Sequence, residues 1–155
     1  MIQRIQSVYL LMTTLLSGLF LKGNILKFKN DAGENIYMNF TGIFRTTGEN
    51  SYDLVERLIP LSLLFILIPV LSLVAIFLFK TRRLQIKATL ALIVLIILLI
   101  VLVVYYGIII IQRHNAELVV GITMFVPLLM LIFTILAYRG IKKDEDIVKS
   151  YDRLR

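Results

Sequence analysis

The 155-residue chain contains no cysteine. Disulfides, thiolate metal sites, cysteine nucleophiles and lipoprotein processing are therefore excluded, and the redox compartment is left open. Histidine is almost as scarce. His114 is the only one, set between Arg113 and Asn115 with Glu117 as the one nearby carboxylate. A metal site needs several ligands at defined spacing, and no such set is present. Glycine-rich phosphate-binding patterns are also missing. The most informative absence is of charge. Residues 5–21, 58–79, 88–111 and 118–138 contain no Asp, Glu, Lys, Arg or His.

Those four runs hold most of the apolar excess of a chain that is 59% hydrophobic, with a mean hydropathy of +0.88. They are 17, 22, 24 and 21 residues long. A helix rises about 1.5 Å per residue, so about 20 apolar residues cross a hydrocarbon core roughly 30 Å thick. Four membrane-spanning helices are expected. The first run is the shortest and borrows length from Gln3 and Gln6. It lacks an A-x-A-like cleavage site, which favours a retained helix over a cleaved signal. The spans also lack the buried charge that marks ion paths and proton relays, which argues against a proton-coupled pump.

The net charge of +7 is unevenly placed. With the N-terminus in the cytoplasm, the cytoplasmic segments hold 11 of the 17 Lys and Arg residues. Lys80, Arg82, Arg83 and Lys87 form the strongest group, because residues 80–87 are short and carry no acid. The positive-inside rule then puts both termini in the cytoplasm. The basic charge is a topology signal and a contact for anionic lipid heads, with no nucleic-acid partner implied.

Between the spans the polar segments have distinct characters. Residues 22–57 form an extracytoplasmic insertion. There, residues 25–29 and 35–44 are strand-like, and Asn30-Asp31-Ala32-Gly33 signals a turn, so a β-hairpin is expected. Residues 46–51 read as a loop. Asp53 and Glu56 resemble a helix-capping box ahead of Pro60, which suits the first turn of the second helix. Pro69 should kink that helix. Residues 80–87 read as a tight basic turn, and residues 112–117 as a short outer loop. Tyr105 and Tyr106 suit a headgroup boundary. In the first helix Thr13, Thr14, Ser17 and Gly18 are small enough to allow close helix packing. Residues 139–155 form a cytoplasmic tail with helical periodicity, in which Ile141, Ile147, Val148, Tyr151 and Leu154 fall on one apolar stripe. A membrane surface or another protein must cover that stripe.

No residue set carries recognisable chemistry. Ser62 and Ser72 have no base within the spans to activate them. Asp53 and Glu56 are more simply explained by capping. No cofactor is expected, and an enzyme is disfavoured.

Three stretches carry a family resemblance. They are Met1-Ile2-Gln3-Arg4-Ile5-Gln6 with Val8-Tyr9-Leu10-Leu11, then Lys80-Thr81-Arg82-Arg83-Leu84-Gln85-Ile86-Lys87, and Arg139-Gly140-Ile141-Lys142-Lys143-Asp144-Glu145-Asp146 with Val148-Lys149-Ser150 and Asp152-Arg153-Leu154-Arg155. The chain resembles a domain-of-unknown-function family of small four-span membrane proteins from Bacteroidota. Thr81 stands where that pattern has Asn, and Tyr151 where it has a small residue. The resemblance implies a four-span protein of the inner (cytoplasmic) membrane and brings no activity with it.

All three stretches fall on the cytoplasmic side of this topology. Gln3, Arg4, Gln6, Arg82, Arg83, Gln85, Asp144 and Glu145 are expected to converge into one platform. The expected fold is thus an all-α membrane bundle of four helices with an outer β-hairpin and an amphipathic tail. The expected function is that of a non-enzymatic accessory or interaction subunit of an inner-membrane complex. The expected partners are membrane lipids and either a membrane protein or, outside the subunit reading, further copies of the chain. An oligomeric transporter or channel for a neutral or lipidic substrate is the alternative, and an envelope-lipid enzyme comes third. Transport predicts a polar cavity near Pro69 and Pro127, whereas the subunit reading predicts a tightly packed bundle.

Overall fold

The computed structural model describes residues 3–21, 23–30, 34–46 and 52–153. Among these, four α-helices and five strands follow in the order α1 (Gln3–Phe20), β1 (Leu26–Asn30), β2 (Asn35–Met38), β3 (Gly42–Thr46), β4 (Tyr52–Arg57), α2 (Ile59–Phe77), α3 (Arg82–His114), β5 (Ala116–Val119) and α4 (Val126–Arg153). Short 3-10 turns at Leu78–Lys80 and Ile122–Phe125 precede α3 and α4.

Three helical stretches are long and apolar enough to cross a membrane: Ile59–Lys80, Arg82–His114 and Ile122–Val148. The apolar part of α1, Ile5–Phe20, is shorter. All 18 residues of α1 extend about 27 Å, close to the hydrocarbon thickness. Each helix packs against two neighbours, α1 and α3 both lying against α2 and α4. The four therefore close into a ring in chain order.

Polar pins fix this ring. Seven polar side chains are buried among the described residues, and all are hydrogen-bonded, as an apolar interior requires. The Ser72 hydroxyl on α2 donates to the Leu10 carbonyl on α1 at 2.9 Å. The Thr13 and Thr134 hydroxyls of α1 and α4 lie 3.3 Å apart. Thr13 and Ser17 are thus at helix contacts, whereas Gly18 faces open space. Helix α2 remains helical on both sides of Pro69, and Pro60 occupies its first turn.

The sheet has the order β4-β3-β2-β1-β5 and every neighbour is antiparallel. Alternation along β1 buries Leu26 and Phe28 and exposes Lys27 and Lys29. Register places Met38 opposite Leu26 and Ile36 opposite Phe28, so these four and Ile43 form one buried face. That face joins the helix core in a single hydrophobic cluster. Hydrogen bonds lash the sheet and its turns to the helices, among them Ser62 Oγ to the Phe40 carbonyl at 2.6 Å, Leu58 N to the Thr41 carbonyl at 3.3 Å, and Thr123 Oγ1 to the Ile25 carbonyl at 3.1 Å. The bundle therefore has a sheet end and, at the opposite end, a loop end.

Several sequence expectations change. The hairpin is one unit of a five-stranded sheet. The turn at Asn39–Thr41 divides the stretch 35–44 into β2 and the start of β3, with Asn39 N donating to the Gly42 carbonyl at 2.9 Å. Asp53 and Glu56 lie on strand β4 and cap no helix, because β3 offers a free edge that β4 pairs. Only glycine fits at position 42, where a Cβ would come within 2.3 Å of the Glu56 carbonyl oxygen. The loop expected over 46–51 begins with Thr46 at the end of β3, and 47–51 lie outside the described residues.

The outer loop 112–117 is replaced by helix, turn and strand. Asn115 adopts φ 46° and ψ 46°, the left-handed conformation that ends helices, and sends the chain back as β5 against β1. Residues 118–121 therefore precede the helical stretch Ile122–Val148, which opens at 122 instead of 118. The basic turn 80–87 is also mostly helical. Arg-Arg-Leu-Gln-Ile-Lys contains no breaker, so α3 starts at Arg82 and runs 33 residues. The tail likewise continues α4 without interruption to Arg153.

Candidate functional site

At the loop end, residues from three helices converge. α1 brings Gln6, the start of α3 brings Arg82 and Gln85, and α4 brings Gly140, Ile141 and Asp144. Gln6 is almost fully buried, and its amide Nε2 donates to Asp144 Oδ2 at 2.7 Å. The Arg82 guanidinium donates to the Asp144 backbone carbonyl at 3.2 Å. Asp144 thus joins α1 through its side chain and α3 through its backbone. A hydrogen bond to an ionised carboxylate is stronger than a neutral one, so the Gln6–Asp144 contact is the principal polar tie between α1 and the end of α4.

Close approach makes this contact reachable. A Cβ at position 140 would stand 2.8 Å from Gln6 Cγ, so the Gln6 stem lies directly on the glycine. Glycine inside a helix costs about 1 kcal/mol relative to alanine, and packing is the usual compensation. The cavity left among these groups has a volume of about 10 Å³, barely the space of one water molecule. The cluster is a packed joint, with no room for a substrate.

The remaining platform residues take different positions. Arg83 Nε lies 3.8 Å from Glu145 Oε1, with the arginine side chain 85% exposed and the glutamate 13% exposed. Gln85 points inward, donating to the Ala75 carbonyl of α2 at 3.0 Å. It is a pin between helices and contributes no exposed platform surface. The side chains of Gln3 and Arg4 lie outside the described residues. In the tail stripe, Ile141 is buried in the bundle core, so it is already covered. Ile147 and Val148 are exposed. The Tyr151 side chain and Leu154 lie outside the described residues. Lys80, Arg82, Arg83, Lys87 and Glu145 border a shallow basic groove of about 590 Å³ beside Val148.

At the sheet end the charged residues form local pairs. Arg45 bonds Glu34 across the sheet, and Arg113 Nη1 lies 3.3 Å from Glu56 Oε2, tying α3 to β4. Among the described residues no group of three or more His, Asp or Glu stands close enough to hold a metal ion. An apolar crevice lies between α3 and α4 beneath β1 and β5, and its lining includes Pro127.

Gly140 was not singled out by sequence reasoning. Its signal was available, since a glycine within an unbroken helical pattern needs a packing reason.

A family model described as Domain of unknown function (DUF4293) matches residues 2–154. The chain belongs to this family. No curated protein matches it. Membership of a family of unknown function carries no activity to the loop-end joint.

Proposed function

We propose that this family member is a four-span integral protein of the bacterial inner membrane, with both termini cytoplasmic, acting as a non-enzymatic accessory subunit. In this reading α1 is the fourth span, the sheet is extracytoplasmic and the loop end is cytoplasmic. Support comes from the apolar lateral surface of the helices, from the Lys and Arg residues gathered at the loop end, and from the resemblance to small Bacteroidota membrane proteins.

The observation that carries the subunit reading is the loop-end joint. Gln6, Arg82 and Asp144 lock three helices around a volume too small for a substrate, while Ile147 and Val148 stay exposed just beyond it. A rigid joint presenting apolar side chains beside a basic groove suits a protein contact. Affinity purification from native membranes with quantitative mass spectrometry tests it. A stoichiometric partner that is lost on deleting residues 143–155 is the expected result. A chain that elutes alone, as monomer or homo-oligomer, contradicts the subunit reading.

The crevice at the sheet end favours one alternative, handling of a neutral or lipidic substrate by an oligomer. That reading gains if the chain elutes without a partner.

A further inference from the structure

The crevice at the sheet end has a volume of about 380 Å³, at the lower end of the range for small-molecule sites. Val104, Gly107, Ile108 and Ile111 of α3 form one wall, and Met124 and Leu128 form the other. Leu26 and Phe28 of β1, with Leu118 of β5, roof it. Two features of the chain create the space. β5 diverts the backbone after α3, so α4 starts only at Val126 and leaves the last turns of α3 uncovered on this side. Gly107 then contributes no side chain where one would meet Leu26.

The chemistry of the walls selects the occupant. They are built from aliphatic, aromatic and thioether side chains, and water needs two to four polar partners to stay in such a space. Val104, Ile108 and Leu128 line the crevice and are also about half exposed on the lateral surface of the bundle. The crevice is therefore continuous with the apolar belt and opens sideways. A partner helix is too thick for it. A cylinder about 10 Å across fills 380 Å³ in roughly 5 Å of length, about one turn. A single hydrocarbon chain is about half as wide and can end blindly under the sheet.

We infer that this crevice binds one acyl chain of a membrane lipid, admitted laterally between α3 and α4. The inference rests on the membrane placement proposed above. The test reconstitutes the full-length protein in phosphatidylethanolamine vesicles doped with a phosphatidylcholine carrying a diazirine in one acyl chain. After photolysis, adducts are mapped by peptide mass spectrometry. A specific site predicts about tenfold more adduct on residues 104–111 and 124–128 than on the exposed α1 face at Val8, Leu15 and Leu19. Gly107→Leu should fill the crevice and bring its labelling down to the α1 level, with α1 unchanged. Leu128→Trp, made at a half-exposed position that tolerates bulk, provides the same test if the glycine variant does not fold. Equal labelling of crevice and α1, or labelling untouched by both substitutions, overturns the site while leaving the membrane placement intact. Absence of adducts on every helix contradicts the membrane placement, and the site with it.

Discussion

At the sheet end, order comes from backbone ladders; at the loop end, it comes from a few side chains. Five strands pair antiparallel, β1, β2 and β3 share one buried face that merges with the helix core, and the register is fixed by many bonds at once. The loop end has no such ladder. Its joint depends on one amide–carboxylate bond, one guanidinium–carbonyl bond and a glycine that lets two helices touch. The sheet end should therefore resist substitution of its exposed side chains and fail where the backbone is blocked or the buried face is cut back. The loop end should respond to single side-chain changes in a graded way.

The largest effect should come from blocking a backbone. Gly42→Val would drive its side chain into the Glu56 carbonyl, and a loss of about 3 kcal/mol or more is expected in detergent unfolding. A smaller loss would show that the β3–β4 pairing yields easily, and the comparison would weaken. Next, Gln6→Ala removes a hydrogen bond to an ionised acceptor from a buried position, costing about 2 kcal/mol. A double-mutant cycle with Asp144→Ala should show the two residues coupled, and additive losses would mean the bond contributes nothing. Gln85→Leu leaves the Ala75 carbonyl without its side-chain donor, and about 1 kcal/mol should be lost. Thr13→Val and Thr134→Val should couple by about 0.6 kcal/mol, a typical value for hydrogen bonds within membrane bundles. The smallest effect belongs to Arg83 and Glu145. Their pair is 3.8 Å apart with an exposed arginine, so exchanging the two charges should change stability by under about 0.5 kcal/mol. A large loss in both single mutants that the exchange rescues would promote this pair to a structural tie.

The contrast between the ends also explains what the sequence made legible. The apolar runs announced the helices because their length and lack of charge are local properties. The strands were harder. β3 was read only in part, as the end of the stretch 35–44, β4 is recognisable only through its pairing with β3, and β5 pairs with β1 from almost 90 residues away. Helix boundaries were misplaced where polar helix formers looked like loop, as at Arg82–Lys87, and where no breaker separated the tail from α4. At the loop end the residue types were visible but their pairing was not. Arg82 reaches the Asp144 backbone while Gln6 takes the carboxylate, and Gln85 turns inward to α2. Such choices depend on helix rotation and crossing, set by packing that no single segment encodes.

The account rests on the two ends lying on opposite sides of one membrane. The absence of native cysteine makes a direct measurement simple. Lys29→Cys places a thiol on the exposed face of the sheet end, and Arg83→Cys places one at the exposed loop end. Intact spheroplasts are treated with a membrane-impermeant maleimide, and the labelling is compared with that after lysis. The account predicts that position 29 labels in intact spheroplasts and position 83 only after lysis. Labelling of both positions before lysis, or the reverse pattern, contradicts the topology and the subunit reading built on it.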